Sequence, residues 1–268
     1  MADLRGRVAV VTGASRGVGR GIAEGLAEAG ATVYVTGRSE SPDGAPAART
    51  IQATARRVDA LGGVGIAVRV DHGSDAEVAA LFERVCAEQG RLDVLVNNAC
   101  RIPEPPVPGA GFWEHPLSVW DDQCGVGLRG YYVAAHYAAP LMVAQRSGLI
   151  VNISSRGGGE YLFSAAYGVC KAGVDRMARD FAVELAAHDV AALSLRPGTV
   201  RTEFVLDAVA RGALAVDLAQ TESPRFTGRC VAALAMDPDV LEKSGQALRV
   251  ADLAREYRFS DLERAADA

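Results

Sequence analysis

Lysine is nearly missing from this chain. Of its 28 basic residues, 26 are Arg, and Lys stands only at 171 and 243. Arg and Lys do different work, so position 171 calls for a compact ammonium on a flexible stem and not a planar guanidinium fork. Paired cysteines are missing as well. Five Cys, at 86, 100, 124, 170 and 230, form no C-x-x-C pair and are odd in number, which argues against a disulfide framework and a zinc site. The four His, at 72, 115, 136 and 188, show no metal-ligand spacing, and no metal is expected. There is no run of apolar residues long enough to span a bilayer: the richest, 131–144, is short and contains His136 and Pro140. The apolar run near the N-terminus is too short for a signal peptide, so the expectation is a soluble, cytoplasmic protein. A net charge of -5 and a pI near 5.5 give no electrostatic reason to expect nucleic acid or an anionic membrane as partner. A small molecule is the expected ligand.

The 268 residues, 49% of them hydrophobic, can bury a sizeable core. Apolar runs alternate with amphipathic stretches, the mark of a parallel sheet covered on both faces. Strands are expected at 7–13, 32–37, 65–70, 92–97, 149–154, 190–195 and 246–250, with helices near 17–29, 47–61, 75–88, 118–145, 164–187 and 221–235. The expected fold is a seven-stranded doubly wound α/β sheet in one domain over 1–268. The longest irregular piece, 101–116, is too rich in proline for a helix or central strand.

Between the first strand and first helix lies VVTGASRGVGRGIA, where Gly13, Gly17 and Gly19 form G-x-x-x-G-x-G. In that position a tight turn and close backbone approach suit a dinucleotide pyrophosphate at a helix N-terminus. The second strand ends TGRS, with no acid to hold an adenosine ribose. Arg38 stands there instead, and Arg16 lies inside the glycine loop. Two guanidinium forks suit a ribose 2′-phosphate, which favours NADP(H) over NAD(H).

Lys171 follows Tyr167 by four residues, so phenol and ammonium share a face in the first turns of one helix. The apolar stripe expected on that helix is Ala166, Cys170, Val174, Met177, Phe181 and Leu185, with the pair at its border. A free phenol keeps its proton to about pH 10. A cation about 4 Å away, at an effective dielectric of about 20, favours phenolate by roughly 4 kcal/mol, and the positive helix end acts in the same direction. The pair therefore reads as a general acid/base. Ser154 and Ser155 end the fifth strand, and one of the two is expected to point toward the same region, where its hydroxyl can bind a substrate oxygen.

With TGASRGVG, NNA at 97–99, the serine with YGVCK, and RPGTVRT at 196–202, the chain resembles the short-chain dehydrogenase/reductase family from residue 7 to about 250. LDVLVNNA, FWEHPLSVWDD, VGLRGYY and DLAREY make it similar to the dehydrogenase/reductase member 1 subgroup. The resemblance implies a Rossmann-type fold in which Tyr167 is the acid/base, Lys171 supports it and bonds the nicotinamide ribose, and Ser155 binds the substrate oxygen. It implies cofactor contacts from Gly13, Ser15, Arg16, Gly17, Val18, Gly19, Arg38, Asp71, His72, Asn98, Ala99, Pro197, Gly198, Val200 and Thr202, with Tyr167 and Lys171. It also implies a homodimer or homotetramer. The expected activity is reduction of a ketone or aldehyde, or oxidation of the matching alcohol, with a cofactor-binding sensor or scaffold of little turnover as the alternative.

Three departures from the family pattern stand out. Cys100 replaces the glycine of NNAG. Ser155 lies 12 residues before Tyr167 where about 13 are usual, which keeps Ser154 open as the substrate-binding hydroxyl. Gly127 occupies the place, seven residues after Trp120, where many members carry an Asn that positions a water linking Lys to solvent.

Overall fold

The computed structural model describes residues 3–40, 48–103 and 111–261. Its elements run β1 (Val8–Val11), α1 (Gly17–Glu28), β2 (Thr32–Gly37), α2 (Ile51–Ala60), β3 (Val64–Arg69), α3 (Asp75–Gln89), β4 (Val94–Asn97), α4 (Ser118–Cys124), α5 (Gly130–Gln145), β5 (Gly148–Ile153), α6 (Ala165–Leu185), β6 (Val190–Arg196), α7 (Glu203–Ala210), α8 (Pro224–Met236), β7 (Ala247–Arg249) and α9 (Val250–Glu256). The strands order as β3-β2-β1-β4-β5-β6-β7 in one seven-stranded sheet, with helices flanking it. This is the Rossmann-type doubly wound architecture. By its internal contacts the chain divides into two compact units, 1–69 with 197–238 and 248–268, and 70–196 with 239–247.

In the first unit β1, β2 and β3 pair in parallel, with Val8 opposite Thr32 and Thr32 opposite Val64. β1 is buried along its whole length, as expected for a strand covered on both faces, whereas β3 is largely half-exposed. Helix α1 meets α8 backbone to backbone. A Cβ at Gly21 would overlap the Pro224 carbonyl group, and one at Gly25 would overlap Gly228. Glycines four apart lie on one helix face, so the tail of the glycine motif serves helix packing as well as the loop. Ser223 caps α8 by accepting from the Phe226 amide, Pro224 takes the first helical position, and the buried Asp261 carboxylate holds both the amide and hydroxyl of Ser223.

In the second unit β4, β5 and β6 pair in parallel, with Asn97 opposite Asn152 and Gly148 opposite Val190. The helix expected over 118–145 is not continuous. A single π turn, Gly125–Arg129, separates α4 from α5. Glycines at 125, 127 and 130 weaken this stretch as a helix, and the extra residue per turn is absorbed there. Gly130 also has a steric role, since a Cβ would come within 2.9 Å of the His72 carbonyl oxygen.

Two helices, α7 and α9, stand where the sequence reading placed no helix. Thr202 starts α7 as an N-cap, accepting from the Val205 amide. The strand expected over 246–250 ends at Arg249, and α9 begins directly after it. On α6 the buried residues are Cys170, Lys171, Val174, Ala178 and Leu185, while Ala166, Met177 and Phe181 are half-exposed. The core-facing stripe is thus rotated so that Lys171 lies within it. Residues 104–110 of the proline-rich segment lie outside the described residues, and Phe112–Glu114 form a short 3-10 turn.

Candidate active site

In the second unit, β5 and the start of α6 bring Ser155, Tyr167 and Lys171 together. Ser164 caps α6 by accepting from the Tyr167 amide at 3.1 Å, which fixes Tyr167 in the first turn. The Tyr167 hydroxyl donates to Ser155 Oγ at 2.9 Å, and the Gly157 amide donates to the same oxygen at 3.0 Å. With both lone pairs engaged, the Ser155 hydroxyl retains its own proton to donate. Ser154 turns the other way: it is buried, and its Oγ donates to the Lys171 carbonyl at 3.3 Å. Of the two serines that the sequence left open, Ser155 is the one beside the phenol.

Two neighbours that the sequence reading did not single out shape this corner. Gly157 leaves room for the phenol, since a Cβ there would come within 2.7 Å of Tyr167 Cε1. Phe163 adopts a left-handed backbone, φ 62°, uncommon for a bulky side chain, and its ring meets the Tyr167 ring edge-on at 5.2 Å between centroids. The aromatic pair in YLFS, just before the capping serine, was the available signal. Lys171 is buried, and its Nζ donates to the Ile153 carbonyl at 2.9 Å. The ammonium lies 5.9 Å from the Tyr167 ring centroid.

Other predicted residues of this unit lie at the ends of β3 and β4. Asp71 accepts from the Gly73 amide at 2.9 Å, and its own amide donates to Glu77. His72 is buried, and desolvation pushes its imidazole down to about 4, against the pull of Asp71 and Glu77. Asn98 is half-buried and Ala99 buried, following Asn97, whose amide bonds Asn152 in the sheet at 2.9 Å. Cys100 is exposed. Gly127 is buried in the π turn, where a Cβ would approach Cys170 Sγ at 3.3 Å. Burial pushes the Cys170 thiol up to about 11 and that of Cys124 upward as well. All five cysteines are free thiols, and no cluster of metal-ligating side chains occurs among the described residues.

The first unit holds the glycine loop. Gly13 and Gly17 both have positive φ, 65° and 57°, which a residue with a Cβ adopts poorly. Ser15, Gly17 and Gly19 are buried, Val18 is half-buried, and Arg16 and Arg38 are exposed. The Gly17 amide donates to Glu203 Oε2 at 3.0 Å, and Arg20 pairs with Oε1 of the same carboxylate at 2.7 Å. The Glu203 carboxylate thus meets the first amide of α1, where the helix dipole favours negative charge. Glu203 escaped the sequence reading because it belongs to the unforeseen α7. Thr202 also reaches the loop, its Cγ2 lying 3.3 Å from where a Gly17 Cβ would sit. Nearby, the Gly198 amide donates to Glu222, and Val200 bridges to the same residue as a one-rung β-pair. Pro197 is half-buried.

The sequence pattern described as short chain dehydrogenase matches residues 7–211. This chain belongs to that family. As a short-chain dehydrogenase it is 46% identical to mouse Dehydrogenase/reductase SDR family member 1 (Mus musculus) over 275 residues, covering 98% of this chain and 85% of the mouse protein. Identity to the Homo sapiens protein of the same name is 44% over 274 residues, with the same coverage. The crystal structure of a short-chain type dehydrogenase/reductase from Mycobacterium marinum matches with a TM-score of 0.77 at 27% identity, covering 92% of this chain and 94% of that one. Membership makes the protein an oxidoreductase of this family and implies a nicotinamide cofactor. No helix among the described residues is long and apolar enough to cross a membrane.

Proposed function

We propose that this short-chain dehydrogenase is an NADP(H)-dependent carbonyl reductase, working in reverse as an alcohol dehydrogenase, with 1–268 acting as one catalytic domain. The observation that carries the reading is the 2.9 Å bond between the Tyr167 and Ser155 hydroxyls, with the buried Lys171 one turn along the same helix. A substrate carbonyl oxygen placed between the two hydroxyls accepts from both. A nicotinamide held here would supply or take the hydride. Tyr167 delivers its proton to the oxygen as the carbonyl becomes an alcohol, Ser155 holds that oxygen, and Lys171 compensates the charge left on the phenolate. Gly13, Ser15, Gly17, Val18 and Gly19 would hold the pyrophosphate, and Arg16 and Arg38 the 2′-phosphate. Asp71, His72, Asn98, Ala99, Pro197, Gly198, Val200 and Thr202 would line the rest of the cofactor. The exposed apolar side chains Tyr132, Val169 and Val183, on α5 and α6, support a homodimer or homotetramer.

The test is NADPH oxidation against diketones, quinones and bulky cyclic ketones, repeated with Arg38→Asp. Turnover is expected, and Arg38→Asp is expected to weaken NADPH far more than NADH, because a carboxylate repels the 2′-phosphate. Gly127, standing where many members carry a catalytic Asn, favours the second reading, a cofactor-binding sensor. Tight NADPH binding without turnover on any of these compounds would establish that reading in place of the first.

A further inference from the structure

One buried group beside Lys171 has no part in the mechanism above. Tyr131, in the first turn of α5, is 1% exposed, and its hydroxyl donates to the Ile153 carbonyl oxygen at 3.3 Å. The same oxygen accepts from Lys171 Nζ at 2.9 Å. The ammonium also lies over the Tyr131 ring, 5.8 Å from its centroid, and over the Tyr167 ring at 5.9 Å. No ion pair to Lys171 occurs among the described residues. The nearest acid on its own helix, Asp175, is held by Ser194 at 2.6 Å and by Arg196.

A cation that is 7% exposed and has no carboxylate partner needs other compensation to stay charged. Here the compensation is one carbonyl dipole and two aromatic faces, whose quadrupoles attract a cation within about 6 Å of the centroid. Gly127 brings no side chain to this place. The other titratable neighbours are Cys170 on the same helix, Cys124 at the end of α4, and Cys100 after β4. Burial raises the thiols of Cys170 and Cys124, and it holds the Tyr131 phenol well above its ordinary value with help from Cys100, Cys170 and Tyr167. Tyr131 itself is therefore a neutral phenol at working pH, and it contributes a ring face and a hydroxyl dipole.

We infer that Tyr131 is a positioning residue, whose ring face holds the Lys171 ammonium in place beside Tyr167. This rests on the proposed reading in which Lys171 serves Tyr167. The two tyrosines have different tasks: Tyr167 exchanges a proton with substrate, while Tyr131 acts only through the lysine. Loss of the ring face makes the ammonium a poorer stabiliser of the Tyr167 phenolate. The bend in the pH profile of kcat/KM then moves upward and kcat falls, with substrate KM little changed.

The test compares that profile for the wild type, Tyr131→Phe, Tyr131→pentafluorophenylalanine and Lys171→Met. Phe keeps the ring face and size, while fluorination keeps the shape and removes the negative face. The Phe variant is expected to bend where the wild type does. The fluorinated variant is expected to bend about 0.5 pH unit higher or more, in the direction of Lys171→Met. A fluorinated variant that superimposes on Tyr131→Phe, while Lys171→Met shifts, overturns the role of Tyr131 and leaves that of Lys171 standing. An unshifted Lys171→Met profile removes the reading on which the inference rests. A Phe profile already shifted as far as the fluorinated one assigns the effect to the hydroxyl on Ile153 and overturns the ring-face account.

Discussion

The Glu203 carboxylate accepts the Gly17 amide at 3.0 Å and is held there by Arg20, so an anion from the chain itself sits on the N-terminus of α1. A dinucleotide pyrophosphate bound as proposed would need the same amide and would be repelled by the same carboxylate. Glu203→Gln removes the negative charge and releases Arg20. It is therefore expected to tighten NADPH, NADH and ADP-ribose by similar factors, roughly threefold to tenfold. Adenosine 2′-phosphate, which lacks the pyrophosphate, should show no gain. Calorimetric titration measures all four, and unchanged constants for the first three would separate Glu203 from cofactor binding.

The contact of α1 with α8 leaves no room for a side chain at Gly25. Gly25→Ala forces the helices apart and is expected to cost about 2 kcal/mol or more, despite the better helix propensity of alanine. Denaturant unfolding should show the loss in the midpoint. A midpoint equal to that of the wild type would mean that the two helices can separate at little cost.

His72 is buried in its neutral form, with its pKa lowered from 6.5 to about 4 by desolvation. Between those values the unfolded chain binds a proton that the folded chain does not, so stability falls as pH drops from about 6.5 toward 4. The full loss is about 3 kcal/mol, reached near and below pH 4. His72→Gln, which cannot titrate, should lose less stability than the wild type over that window. Parallel stability curves for the two proteins would place the imidazole in a wetter environment than its burial indicates.

Most of this architecture was legible because buried parallel strands leave continuous apolar runs that no surface element imitates. The strand at 32–37 matched to the residue, and the others differ by a residue or two at their ends. Helix α7 was missed because Thr202, its cap, stands in the RPGTVRT motif, where it reads as a cofactor contact and not as the start of a helix. The π turn was missed because three glycines in a helical stretch can be tolerated singly, and only the close approach of Gly130 to His72 shows why this helix yields there.

Tyr167 and Lys171 were visible from spacing alone, since residues four apart on a helix share a face whatever surrounds them. Ser155 was half visible: alternation along a strand required one of two serines, and only the fold brings Ser155, and not Ser154, beside the Tyr167 hydroxyl. Tyr131 and Glu203 were not visible. One is 40 residues from Lys171 and the other is 186 from Gly17, so only the fold makes them neighbours.

The central claim is that Tyr167 moves the proton. It is tested most directly by measuring kcat/KM for Tyr167→Phe on a carbonyl substrate that the wild type turns over, alongside the NADPH dissociation constant. The variant keeps the ring, its edge-on contact with Phe163 and the Ser164 cap, and loses only the hydroxyl. The account predicts a fall of at least about a hundredfold, with the dissociation constant little changed. A variant that reduces the substrate at close to the wild-type rate would contradict it.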